Sequence, residues 1–147
     1  MTKLYWKGLF FSVMGLLLIG CATQKPQTPF QPQAIQAAGY SQKVDNFLVI
    51  LDASGSMDEA YKGQKKLDYA KQIVSRMNQT IPDLKLTAGL REFSPSVWTG
   101  DLTRLVYGQT AYSKAGLEDG VKQVKRAGGH SPLAVAIDAA GDDLAEV

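Results

Sequence analysis

Residues 46–57 read Asn46-Phe47-Leu48-Val49-Ile50-Leu51-Asp52-Ala53-Ser54-Gly55-Ser56-Met57, an unbroken apolar run that ends on an acid and a serine-rich loop. Alternating polarity, the mark of a half-solvated strand, is missing between Phe47 and Leu51. A run of branched residues apolar on both faces predicts a central strand of a parallel sheet covered on each side. In open sheets of that kind ligands sit outside the carboxyl ends of the strands. Asp52, Ser54 and Ser56 are therefore delivered to the edge where binding is expected.

Downstream, Leu67, Ala70, Ile73, Val74, Met77 and Ile81 recur at helical spacing and predict a helix from about Lys66 to Thr80, ended by Pro82. Leu84, Leu86, Ala88 and Leu90 alternate and predict a second strand reaching about Phe93. Ser94 to Gly100 reads as a turn and Arg104 to Tyr107 as a third strand, forming a hairpin with the second. An amphipathic helix over 113–126 carries Leu117, Val121 and Val124. The Gly128-Gly129 pair breaks it, and a last helix starts at Pro132 and runs through Leu133, Ala136, Ile137, Ala140 and Leu144.

The order β-α-β-β-α-α defines an α/β fold. Three strands leave the most apolar of them at an open edge. Residues 42–147 are accordingly expected to be the front part of a larger domain, less stable and more prone to aggregate than a version carrying further strands.

Asp52-Ala53-Ser54-Gly55-Ser56 matches the Asp-x-Ser-x-Ser element of the metal-ion-dependent adhesion site, and on it the chain resembles von Willebrand factor A domains. A second stretch, Gly128-Gly129-His130-Ser131-Pro132-Leu133, is similar to that family's second metal-site loop, where Thr or Ser precedes Pro-Leu at a helix start. The resemblance implies a Rossmann-like fold, an open, mainly parallel sheet flanked by helices with an antiparallel strand at its edge. It also implies a cation held by Asp52, Ser54, Ser56 and Ser131, and a protein partner that supplies an acidic residue. A domain of this family continues into a fourth strand whose terminal Asp completes the site; no such strand occurs up to Val147.

The chemistry suits Mg²⁺, with Mn²⁺ or Ca²⁺ as alternatives, because a hard cation takes oxygen ligands at about 2.0–2.1 Å in octahedral array. Two neutral hydroxyls beside one carboxylate leave the ion under-compensated and receptive to a partner's carboxylate. Gly55 is expected to allow a sharp turn between the serines. Ser131 is also expected to cap the last helix, with Pro132 at its first position. His130 departs from the commoner Gly-Gly-Thr-Pro-Leu form; a register set by the glycines would put the imidazole at the ligand position and favour a softer metal.

The amino-terminal end carries a separate message. Lys3 and Lys7 precede the apolar stretch Gly8–Gly20, and Leu18-Ile19-Gly20-Cys21 resembles a bacterial lipobox. Residues 1–20 therefore read as a lipoprotein signal peptide and Cys21 as the lipidated residue, its thiol accepting a diacylglycerol group. Cys21 is the only cysteine, which excludes a disulfide within the chain. Residues 21–41 form a linker rich in Gln and Pro, with Pro26, Pro29 and Pro32 evenly spaced. Extended at about 3 Å per residue, it is a disordered tether of roughly 50 Å. Ala22 rather than Asp after Cys21 implies the outer membrane of the cell envelope, on its periplasmic face.

Charge narrows the partners. The formal net charge is +2, and losing Lys3 and Lys7 with the signal brings it to zero. No basic patch interleaved with aromatics is present, so nucleic acid is not an expected ligand. Lys62, Lys65 and Lys66 read as a solvated loop and helix start, and Trp98 as a ring packed at an edge loop.

A serine hydrolase built on Ser131, His130 and Asp52 is disfavoured: His130 adjoins Ser131 in sequence and no Gly-x-Ser-x-Gly elbow exists. An aspartyl phosphotransferase would want a second acid where Ser54 stands. The expected function is that of a non-enzymatic, lipid-anchored module that binds a protein partner through the cation. The alternative is a structural envelope lipoprotein in which this region spaces an OmpA-like peptidoglycan-binding domain.

Overall fold

The structure, a computed structural model, describes residues 31–36, 38–39, 41–95, 100–125 and 127–147. The signal segment 1–20, Cys21, the linker as far as residue 30 and Trp98 lie outside the described residues. Among the described residues no helix is long and apolar enough to cross a membrane.

Strand β1 (Asn46–Asp52) runs into a 3-10 turn (Gly55–Asp58) and a short hairpin, β2 (Ala60–Tyr61) and β3 (Gln64–Lys65). Helix α1 (Lys66–Thr80) leads to β4 (Thr87–Phe93), β5 (Thr103–Ala111), α2 (Lys114–Gln123) and α3 (Leu133–Ala145). The main sheet has the order β1-β4-β5. β1 is parallel to β4, with Asn46 opposite Thr87 and Asp52 opposite Phe93, and β4 is antiparallel to β5, with an irregular register around Leu90. The protein is thus a mixed α/β fold on a small mixed sheet with three helices.

Local chemistry accounts for the element boundaries. α1 stops at Thr80 because Ile81, preceding Pro82, is held extended at φ −62°, ψ 126°. α2 starts at Ser113, whose hydroxyl accepts the Gly116 N–H at 3.0 Å, an N-cap worth about 1 kcal/mol.

α1 and α2 cover one face of the sheet, where Leu51, Leu67, Val74, Leu90, Leu117, Val121 and Val124 form the buried core. Gly120 permits the close approach: a Cβ there would stand 2.8 Å from the Cβ of Tyr107. Buried Asn78 fastens α1 to the junction between β5 and α2, donating to the Lys114 carbonyl at 2.8 Å and accepting from the Tyr112 hydroxyl at 2.7 Å.

Alternation along β4 turns Arg91 away from Leu90, toward α3. Arg91 is 9% exposed and grips Asp143 of α3 with two bonds, Nε to Oδ2 at 2.7 Å and Nη2 to Oδ1 at 2.8 Å. Ala136 and Ala140 are the small side chains buried along the same helix, so α3 lies close on the sheet with an ion pair in place of bulky packing.

Four features differ from the sequence expectations. The apolar run of β1 predicts a strand covered on both sides, but of its residues only Leu51 is fully buried, because β1 lies at the open edge that three strands leave and its outer backbone edge pairs with no strand among the described residues. β4 begins at Thr87, not Leu84, and β5 extends to Ala111, since Thr110 and Ala111 continue the pairing with Ala88 and Thr87. The β2–β3 hairpin was not expected. The linker is not free throughout, because the Ile35 N–H donates to the Thr80 carbonyl at 3.0 Å and lays residues near Ile35 beside the end of α1.

The Arg91–Asp143 side chains are 11% and 14% exposed. Stranding one partner of so enclosed a pair costs about 3 kcal/mol. Asp143→Ala is therefore expected to lower the unfolding free energy by that amount in urea, while the double change Arg91→Met, Asp143→Leu costs far less. Equal losses in the two variants would show that α3 is not held by this pair.

Candidate functional site

Asp52 ends β1 and lies beside Phe93 at the carboxyl end of β4. The ladder continues one step further, with the Ala53 N–H donating to the Phe93 carbonyl at 3.2 Å. The chain then folds back on the acid: the Ser54 N–H donates to Asp52 Oδ1 at 2.7 Å. The 3-10 turn is held by the Met57 N–H on the Ser54 carbonyl at 2.9 Å and the Glu59 N–H on that of Ser56 at 3.3 Å.

Ser54 is 1% exposed and Ser56 is at the surface. Their hydroxyl oxygens are 3.4 Å apart. Two oxygens on adjacent octahedral positions about 2.1 Å from one ion lie about 3 Å apart, so a small adjustment lets both serines meet a single Mg²⁺. Asp52 retains Oδ2 for the ion or for a bound water. The donor set fits a hard divalent cation, and hydroxyls with one carboxylate disfavour a soft one.

The second loop is joined to the first by a reciprocal pair of backbone bonds. The Gly55 N–H donates to the Gly129 carbonyl at 3.1 Å, and the Gly128 N–H donates to the Ala53 carbonyl at 2.8 Å. This contact explains Gly55 better than the expected sharp turn. Its φ is not positive, but a Cβ would come within 3.2 Å of the Gly129 oxygen.

Ser131 stands two residues after Gly129 and is exposed. It does not cap α3. Pro132, at φ −79°, ψ 56°, forms an inverse γ-turn in which the Leu133 N–H bonds to the Ser131 carbonyl at 2.9 Å. The helix begins at Leu133, and Pro132 occupies the cap position. His130 is anchored through its carbonyl, which accepts the Ser94 hydroxyl.

Ser94 is a residue that sequence reasoning missed. It is 5% exposed, has φ +59°, and also donates its N–H to the Leu102 carbonyl at 2.9 Å. It therefore ties the β4–β5 connection to the Gly128–Ser131 loop. A polar residue placed directly after an apolar strand end was the available signal. Beside it a cavity of about 240 Å³ opens between Ser94, Asp101 and Leu102 on one side and Gly129, His130 and Pro132 on the other.

Comparison with protein-family models, with curated proteins and with solved structures finds no match to this chain. Among the described residues no group of three or more His, Cys, Asp and Glu comes together. The cluster described above has one carboxylate, so its donor set differs in kind from such groups.

The glycine contact yields a direct test. Gly55→Val should separate the two loops, lowering the midpoint of thermal unfolding by several degrees, about 1–3 kcal/mol for a forced contact. Ser131→Ala, which removes no cap, should leave stability within about 0.5 kcal/mol. A neutral Gly55→Val would mean that the loops are not in contact.

Proposed function

We propose that the folded region is a divalent-cation-dependent protein-binding module of the von Willebrand factor A type, with Asp52, Ser54, Ser56 and Ser131 holding Mg²⁺. In this reading the sheet is part of the Rossmann-like sheet of that family. The single observation that carries the proposal is the pairing of Ala53 and Gly55 with Gly128 and Gly129. It sets the second candidate ligand loop against the first at the carboxyl edge of a parallel strand pair, where α/β folds bind ligands.

Asp52 supplies the charge and the serines supply neutral oxygens. A partner's carboxylate completes the coordination, and the protein performs no bond-breaking step. The cavity beside His130 offers room for the part of the partner next to that carboxylate. The module is carried on a lipid at Cys21, at the periplasmic face of the outer membrane, tethered by the part of the linker that precedes the contact of Ile35 with the end of α1.

Titration calorimetry with Mg²⁺ tests the site. Asp52→Ala should abolish the binding heat, and Ser131→Ala should weaken binding by less, with both proteins folded. Mg²⁺ binding unchanged in Asp52→Ala would refute the assignment. The anchor is tested separately: cells fed a labelled fatty acid should label the wild type and not Cys21→Ser, and undiminished label in the variant would exclude lipidation at that thiol.

A further inference from the structure

The β2–β3 hairpin follows the 3-10 turn directly in the chain and leads into α1. Its turn is Lys62-Gly63 at φ +49° and +83°, two consecutive left-handed residues, the geometry that tightens a two-residue hairpin. The base is fixed on both sides: the Glu59 N–H bonds to the Ser56 carbonyl at 3.3 Å, and the Lys66 N–H to the Glu59 carbonyl at 3.0 Å. Lys62 lies six residues beyond Ser56, so at most about 21 Å of chain separates them.

Of the three lysines here, two are committed. Lys65 pairs with Asp58 at 2.6 Å and Lys66 with Glu59 at 2.5 Å. The hydrogen bond to Asp58, helped by its charge, holds the Lys65 ammonium above its usual range. Lys62 is different: its ammonium stands 5.4 Å from the centre of the Tyr61 ring, and it takes part in none of the ion pairs among the described residues.

Tyr61 is 55% exposed and rests edge-on against Tyr69 of α1, with ring centres 6.0 Å apart. A two-residue turn with a hydrogen-bonded base thus carries one uncommitted cation above an exposed aromatic face, a few residues along the chain from a site read as taking a carboxylate.

We propose that the β2–β3 hairpin is a second contact for an acidic protein segment, Lys62 pairing with a carboxylate other than the one at the cation while Tyr61 packs against the segment's apolar stems. The inference rests on the cation-site reading and narrows its partner to a chain with at least two acidic residues. A singly acidic partner would use the ion alone. Tyr61 and Lys62 are suited to the task because their backbone is fixed beforehand, which reduces the ordering cost of binding.

The probe is a fluorescent penta-glutamate peptide, titrated by anisotropy against the full chain and its variants in Mg²⁺ and again in EDTA. Lys62→Glu should weaken binding in Mg²⁺ by about fivefold or more, as for reversal of one exposed pair, and Lys62→Arg should retain it. Lys85→Glu makes the same charge change near the start of β4, at the opposite end of the sheet, and should alter binding less than twofold.

Equal losses in Lys62→Glu and Lys85→Glu, no loss in Lys62→Glu, or no binding by the wild type would overturn the proposal. If EDTA leaves wild-type binding unchanged while Lys62→Glu still weakens it, the hairpin contact stands and the cation reading fails. If EDTA abolishes binding and Lys62→Glu has no effect, the reverse holds.

Discussion

Two backbone hydrogen bonds, Gly55 to Gly129 and Gly128 to Ala53, make one place out of two loops that are distant in sequence. Each loop also has its own tie to β4. Ala53 continues the β1–β4 ladder, and the His130 carbonyl is taken by Ser94. These bonds hold the two loops against each other and so fix where the serines and Asp52 stand relative to the Gly128–Ser131 loop. Side chains larger than hydrogen at 55 would press on the Gly129 oxygen. The composition of the loops is set by how close they run.

The helices were legible in the sequence wherever periodicity was long and punctuated. α1 spans Lys66–Thr80 as the spacing of Leu67, Ala70, Val74 and Met77 and the stop at Pro82 require. The strands were legible in kind but less so in extent and place. β1's apolar character marked it as a strand suited to cover on both sides, and with three strands it lies at the open edge that this number leaves. The hairpin at Lys62-Gly63 was hidden because two-residue strands carry too few side chains to show alternation.

At the site, the Asp-x-Ser-x-Ser spacing anticipated that Asp52, Ser54 and Ser56 cluster, a consequence of local turn geometry. The approach of the glycine loop is long-range, and the motif alone pointed to it only through resemblance. The role of Pro132 was misread. Pro suits either the first helical position or the residue before it, and the choice depends on ψ, here 56°, which sequence does not specify. Ser131 caps nothing, and its hydroxyl does not serve the start of α3.

The proposed function requires that both loops bind one cation. Mn²⁺ added to isotope-labelled protein measures this most directly, because its paramagnetism broadens amide signals near it. Signals of Ser54–Ser56 and of Gly129–Ser131 are expected to broaden together at the same Mn²⁺ concentration, excess Mg²⁺ to restore them, and neither set to respond in Asp52→Ala. Broadening confined to one loop, or centred on acids elsewhere such as Asp142 and Glu146 of the chain end, would contradict it.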